Sequence, residues 1–109
     1  MGTRTWAVSR HAGAREWLAE EAARRGWIID RWVAHLDPAE VSPGDRVIGV
    51  LPVHLAALVS RRGAEYWHLA VDPAESRRGA ELSARELEAL GARLERYVVT
   101  PHGTMSRGT

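Results

Sequence analysis

Apolar residues follow two rhythms along this chain, and each change of rhythm marks an element. In residues 3–9, Trp6 and Val8 fall on one face with Ala7 between them, the period of two that predicts a strand. A polar break at Ser9, Arg10, His11 and Gly13 follows. From residue 14 to 25 the apolar positions Ala14, Trp17, Leu18 and Ala22 recur near helical spacing, charge fills the opposite face, and Gly26 supplies the stop. Residues 27–34 are rich in β-branched and aromatic side chains and predict a second strand, with Trp27, Ile29 and Val33 toward the core. Residues 46–51 carry no inward polar group and predict a central strand buried on both faces. Pro52 suits the first turn of a helix running to about Arg62, with Leu55, Leu58 and Val59 as its packing stripe and Gly63 closing it. A fourth strand is expected over residues 65–71, and a charged loop over 74–82. Ser83 and Glu86 form a capping-box pattern that opens a last helix with the stripe Leu87, Leu90, Leu94 and Tyr97. Residues 100–109 have no periodicity and are expected to be a disordered tail.

The order βαββαβα predicts a small Rossmann-like α/β domain of three layers over residues 1–99. Its sheet should be mostly parallel, with about four or more strands. The link between the second and third strands is too short for a crossover helix. If those strands are parallel, it must run back as an extended or 3₁₀ piece, and their relative direction stays open at this point. In such sheets ligands bind at the C-terminal ends of the strands. Those ends carry Ser9, Arg10 and His11; His35 and Asp37; Leu51, Pro52, Val53 and His54; and Asp72. Three of the five histidines therefore meet at one edge by topology alone.

Composition narrows the ligand. With 109 residues and a formal charge of +1, the chain is one domain without the broad positive field that duplex nucleic acid requires, and a small, focused ligand fits better. All the strongly basic side chains are arginine, which removes a lysine nucleophile or Schiff base, and the absence of cysteine removes disulfides, thiolate chemistry and thiolate metal sites. No apolar run has the length of a signal peptide or membrane span, so a soluble, cytoplasmic protein is expected.

Each candidate also has a purely structural role to weigh. Ser9 sits where it can cap the first helix or bind a phosphate. Arg10 and His11 ahead of a helix start suit a phosphate, because their donors add to the free backbone N–H groups. His35 with Asp37 forms either an oriented general base or a helix cap. His54 can face the crevice from the first turn of its helix, whereas His68, alternating with Trp67 and Leu69, reads as packing or a core hydrogen bond. No HExxH or HxH spacing supports zinc, no Gly-x-Ser-x-Gly elbow supports a serine hydrolase, and no Gly-rich loop supports triphosphate hydrolysis. No metal or cofactor is expected.

Several blocks are more specific: Val8, Ser9, Arg10 and His11 with Trp17 beyond; His35 to Pro38; Pro43, Gly44 and Asp45; the run from Leu51 through Pro52, Val53, His54 and Leu55 to Ala56; and Arg62, Gly63, Ala64, Tyr66, His68 and Leu69. Over about residues 5–98 the chain resembles the small CRISPR-associated Csx-sixteen family of type III systems. That resemblance implies a CARF-like domain that binds cyclic oligoadenylate and a ring nuclease that cleaves cyclic tetra-adenylate to end the antiviral signal. A two-fold symmetric ring would bind best across a homodimer. Cleavage needs no metal if the ribose 2′-OH attacks its own phosphate in line, leaving a 2′,3′-cyclic phosphate. On this reading Arg10 stabilises the phosphorane, His11 and His54 move the protons, and Ser9 bonds a phosphate oxygen. His35, Asp37, Leu51, Pro52, Val53 and Asp72 complete the expected ligand site. The competing expectations are a non-catalytic sensor or sponge for the ring and a protein-interaction subunit.

Overall fold

The computed structural model describes residues 3–72 and 81–103. Its elements are β1 (Thr5–Val8), α1 (Ala12–Arg25), β2 (Arg31–Val33), a 3₁₀ turn (Pro38–Glu40), β3 (Arg46–Gly49), α2 (Val53–Arg61), β4 (Glu65–Ala70), α3 (Ala84–Ala89) and β5 (Arg93–Tyr97). The expected tail lies in part, and the expected charged loop almost wholly, outside the described residues.

The five strands form one sheet in the order β2-β1-β3-β4-β5, parallel except for β5, compatible with a Rossmann-like fold. The strand order answers the question of direction. β2 and β3 are both parallel to β1 and lie on either side of it, so the chain between them crosses over β1. That crossover uses only the 3₁₀ turn, capped by Asp37, whose Oδ1 accepts from Ala39 N–H at 3.0 Å. It stays attached to the sheet because Leu36 and Val41 are buried against Trp6, Val47 and Val59.

Strand alternation divides the core into two. Trp6, Val8, Val47 and Tyr66 turn toward α2, where Ala56 and Val59 meet them. Ala7, Ile48, Leu69 and Leu94 turn to the other face, against Trp17, Leu18 and Ala22 of α1 and Leu87 of α3. Val47 and Ile48 are both fully buried, so β3 is central as its composition predicts.

Two expectations need correction. The strand over residues 27–34 pairs only at Arg31–Val33, since β2 is an edge strand with only the four residues of β1 to pair with. The last helix does not extend to Tyr97. It stops after Ala89, Gly91 adopts φ 78°, and the chain continues as β5 antiparallel to β4. Leu87 and Leu94 do share one core, but across a helix and a strand rather than along a single helix. The left-handed glycine supplies the stop, and the sheet edge of β4 supplies hydrogen-bond partners that a longer helix would leave unpaired.

Candidate functional site

Between β1 and β3 the direction of strand addition reverses, and the loops after these strands part to leave a crevice. Gly49 makes the geometry possible: its φ is 133°, and a Cβ there would stand 2.3 Å from the Val8 carbonyl oxygen. The strand tips therefore touch at a point where only glycine fits. Above them lies a cavity of about 380 Å³. One wall is Ser9, Arg10 and His11, the other is Val50, Leu51, Pro52 and Leu55, and His35 closes the side beside β2. No carboxylate lines it among the described residues.

Two helices start at the edge of this crevice. α1 begins at N-cap His11 and α2 at N-cap Pro52, and neither start has a side-chain cap or an acidic residue in its first turn. By contrast, α3 has a complete capping box, with Ser83 Oγ accepting from Glu86 N–H and the Glu86 carboxylate accepting from Ser83 N–H. The N–H groups that begin α1 and α2, with the positive ends of their dipoles, thus remain available to an anion. Pro52 stands one position earlier than its composition suggests, with ψ 148°, and the helix proper starts at Val53.

Individual side chains have distinct placements. Ser9 Oγ accepts from His11 N–H at 3.1 Å, which pins the turn before α1. Among the described residues Arg10 and His35 have no hydrogen-bond or ion-pair partner, and both are exposed on the cavity. His11 Nδ1 lies 2.7 Å from Glu81 Oε2. Since a carboxylate only accepts, the ring donates Nδ1–H and presents Nε2 as its free position. Gly13 allows the neighbouring segment to come close: a Cβ there would fall 1.8 Å from the Leu82 carbonyl oxygen.

The structure brings Ser9, Arg10, His11, His35, Leu51 and Pro52 together and leaves four expected residues out. His54 turns instead into a separate groove of about 450 Å³ with Leu58, Ser60, Arg61 and residues 98–101. One position past the helix start, its side chain lies around the helix from the crevice. Val53 is 72% exposed and lines neither wall. Asp37 is used as the cap of the 3₁₀ turn, and Asp72 pairs with Arg93 at 3.1 Å.

Two groups escaped the sequence reading. Glu81 is 70 positions from His11, in a charged run with no periodic signal. Tyr66 is buried, and its Oη accepts from Leu51 N–H at 2.9 Å and lies 2.8 Å from His68 Nδ1. Burial pushes the Tyr66 phenol above its ordinary value, and the Leu51 N–H pulls the other way. The shared parity of Tyr66 and His68 in β4 places both on one face, and that was the available signal.

No helix among the described residues is long and apolar enough to cross a membrane. No curated protein and no solved structure matches the chain. Residues 6–100 match the model of the family described as "Putative CRISPR-associated protein (Cas_VVA1548)". Since the match takes in both walls of the crevice and nearly the whole chain, the protein belongs to this CRISPR-associated family.

Proposed function

We propose that the protein is a ring nuclease that binds cyclic oligoadenylate at the β1/β3 crevice and opens it without a metal. One observation carries this reading. Two uncapped helix starts, two imidazoles and an arginine unpaired among the described residues converge on a cavity whose remaining lining, Ser9 apart, is apolar and, among the described residues, free of carboxylates. Donors of positive character suit a phosphate, and Leu51, Pro52, Leu55 and Leu69 suit the face of a base.

On this reading the chemistry uses the groups at the crevice. The ribose 2′-oxygen attacks the adjacent phosphorus, His11 Nε2 takes the 2′-OH proton, and Glu81 holds the ring and stabilises the imidazolium that forms. Arg10 and the N–H groups of α1 receive the charge that grows on the phosphorane. The P–O5′ bond breaks as His35, protonated beforehand, gives its proton to the departing oxygen. The products are a 2′,3′-cyclic phosphate and a 5′-OH, and the two imidazoles regain their starting states through solvent. His35 replaces His54 in this scheme because His54 lines the other groove. A cavity of about 380 Å³ is at the small end of ligand sites, which run to about 1,000 Å³, so each chain holds part of the ring and a homodimer encloses it.

The test is product analysis of cyclic tri-, tetra- and hexa-adenylate incubated with stoichiometric protein and excess chelator. Linear products ending in 2′,3′-cyclic phosphate are expected, and His11→Ala should lower the rate by roughly 10²- to 10⁴-fold with binding retained. An intact ring after long incubation overturns the enzyme. Tight binding with no turnover selects the sponge, and no binding selects the interaction subunit.

A further inference from the structure

The wall formed by residues 49–52 is not held by the sheet alone. β3 stops at Gly49, and the chain must leave the sheet and reach Pro52 with Leu51 buried. The Leu51 N–H is met by a side chain from the neighbouring strand, the Tyr66 hydroxyl at 2.9 Å. That oxygen has two further neighbours, His68 Nδ1 at 2.8 Å and the Gly49 carbonyl oxygen at 3.4 Å.

A phenol has a single proton to donate. Leu51 N–H already occupies an acceptor position on Oη, so the proton goes either to Gly49 or to His68. An O–H···O bond is normally about 2.5–3.0 Å long, so 3.4 Å is too far, whereas the imidazole nitrogen is at full bonding distance. His68 Nδ1 therefore accepts, and its proton resides on Nε2. The ring is fixed in turn by Tyr97, whose centroid lies 5.5 Å away on β5.

We propose that the Tyr66 hydroxyl is the positioning group for the Leu51–Pro52 side of the crevice, and that His68 directs its proton so that the oxygen is left to receive the Leu51 N–H. Leu51 lines the cavity, and Pro52 is the N-cap that sets where the free N–H groups of α2 point. A chain Leu51 N–H to Tyr66 to His68 thus joins the ligand wall to a half-buried imidazole on the α2 face of the sheet. Its effect on ligand rests on the cyclic-nucleotide reading, but the hydrogen-bond order does not.

The experiment uses the full chain, as wild type, Tyr66→Phe, His68→Asn and His68→Leu. In wild type, ¹⁵N imidazole shifts should give the Nε2–H tautomer for His68. Tyr66→Phe should speed exchange of the Leu51 amide at least about tenfold, since a protecting hydrogen bond is lost. It should raise KM for cyclic tetra-adenylate by about the same factor, with a smaller change in kcat. His68→Asn, which keeps an acceptor where Nδ1 stands, should behave as wild type, and His68→Leu should resemble Tyr66→Phe. An Nδ1–H tautomer, an unchanged Leu51 exchange rate in Tyr66→Phe, or an unchanged KM once Leu51 is released would each overturn the proposal. The tautomer is read without any substitution, so a variant that fails to fold does not shield it. If the wild type ignores the ring while the tautomer and exchange behave as stated, the cyclic-nucleotide reading falls and the positioning of the wall stands.

Discussion

The two ends of the sheet treat polar groups in opposite ways. At the end where the strands begin, Asp45 is 3% exposed and its carboxylate is fully engaged. It accepts from Trp6 Nε1 and Ser42 N–H at 3.0 Å and from the amide and guanidinium of Arg4 at 3.3 Å. Beside it Asp30 receives the Thr5 N–H at 2.8 Å. At the end where the strands finish, Arg10 and His35 face solvent, two helices start uncapped, and no acid lines the cavity among the described residues. Satisfied groups fix a structure, whereas open donors wait for a ligand. The first end therefore serves stability, and on the proposed function the second is the end that meets the ligand.

Substitutions should separate the two ends. The largest stability effect is expected for Asp45→Ala, which strands a buried indole N–H and the backbone amides of Arg4 and Ser42. It should cost about 3 kcal/mol and lower Tm by more than about 10 °C in thermal unfolding. Next is Arg10→Ala, which should weaken cyclic tetra-adenylate binding by about 10- to 100-fold in calorimetry, the value of a charge-assisted bond, and leave stability within about 0.5 kcal/mol. Ser83→Ala removes the cap of α3 and should cost about 1 kcal/mol of stability with no change in binding. The smallest effect is expected for His54→Ala, which should leave turnover unchanged because the side chain lines the other groove.

Acid should weaken the strand-start end through Asp45. Burial pushes the Asp45 carboxyl up, but hydrogen bonds from the Ser42 amide, the Trp6 indole and Arg4 outweigh it and hold the group below its ordinary value. A carboxylate depressed in the folded state contributes stability above its unfolded pKa, about 3.9, and loses that contribution as pH falls through the lower folded value. Denaturant unfolding at pH 7 and at about pH 2.5 should therefore show a loss that Asp45→Asn reduces. Without that difference, Asp45 is not what anchors this end.

Much of the frame was legible from the residues. Trp6, Ala7 and Val8 alternate across the sheet as their spacing requires, and Val47 and Ile48 are buried on both faces. The turn at Ser9, Arg10 and His11 was legible for the same reason, since a strand end ahead of a helix has one place to go. What stayed hidden depended on direction and distance. Leu87, Leu90 and Leu94 fit one helical stripe, and the stop at Gly91 together with the competing edge of β4 turns the last of them into a strand residue. His54 was placed at the right edge and on the wrong side of its helix, because position along a helix start does not settle rotation about its axis. Glu81 acts through a tertiary contact that no local pattern encodes, and the parity Tyr66 shares with His68 gives its face but not its bond to Leu51.

The most direct measurement is an NMR titration of ¹⁵N-labelled protein with cyclic tetra-adenylate under excess chelator, following backbone amides and the Arg10 side chain. The largest shifts should fall on Ala12, Gly13 and Ala14 at the start of α1, on Val53 and His54 at the start of α2, and on Arg10. Shifts centred on the capped start of α3 or around Asp45, or none at ligand saturation, would contradict this.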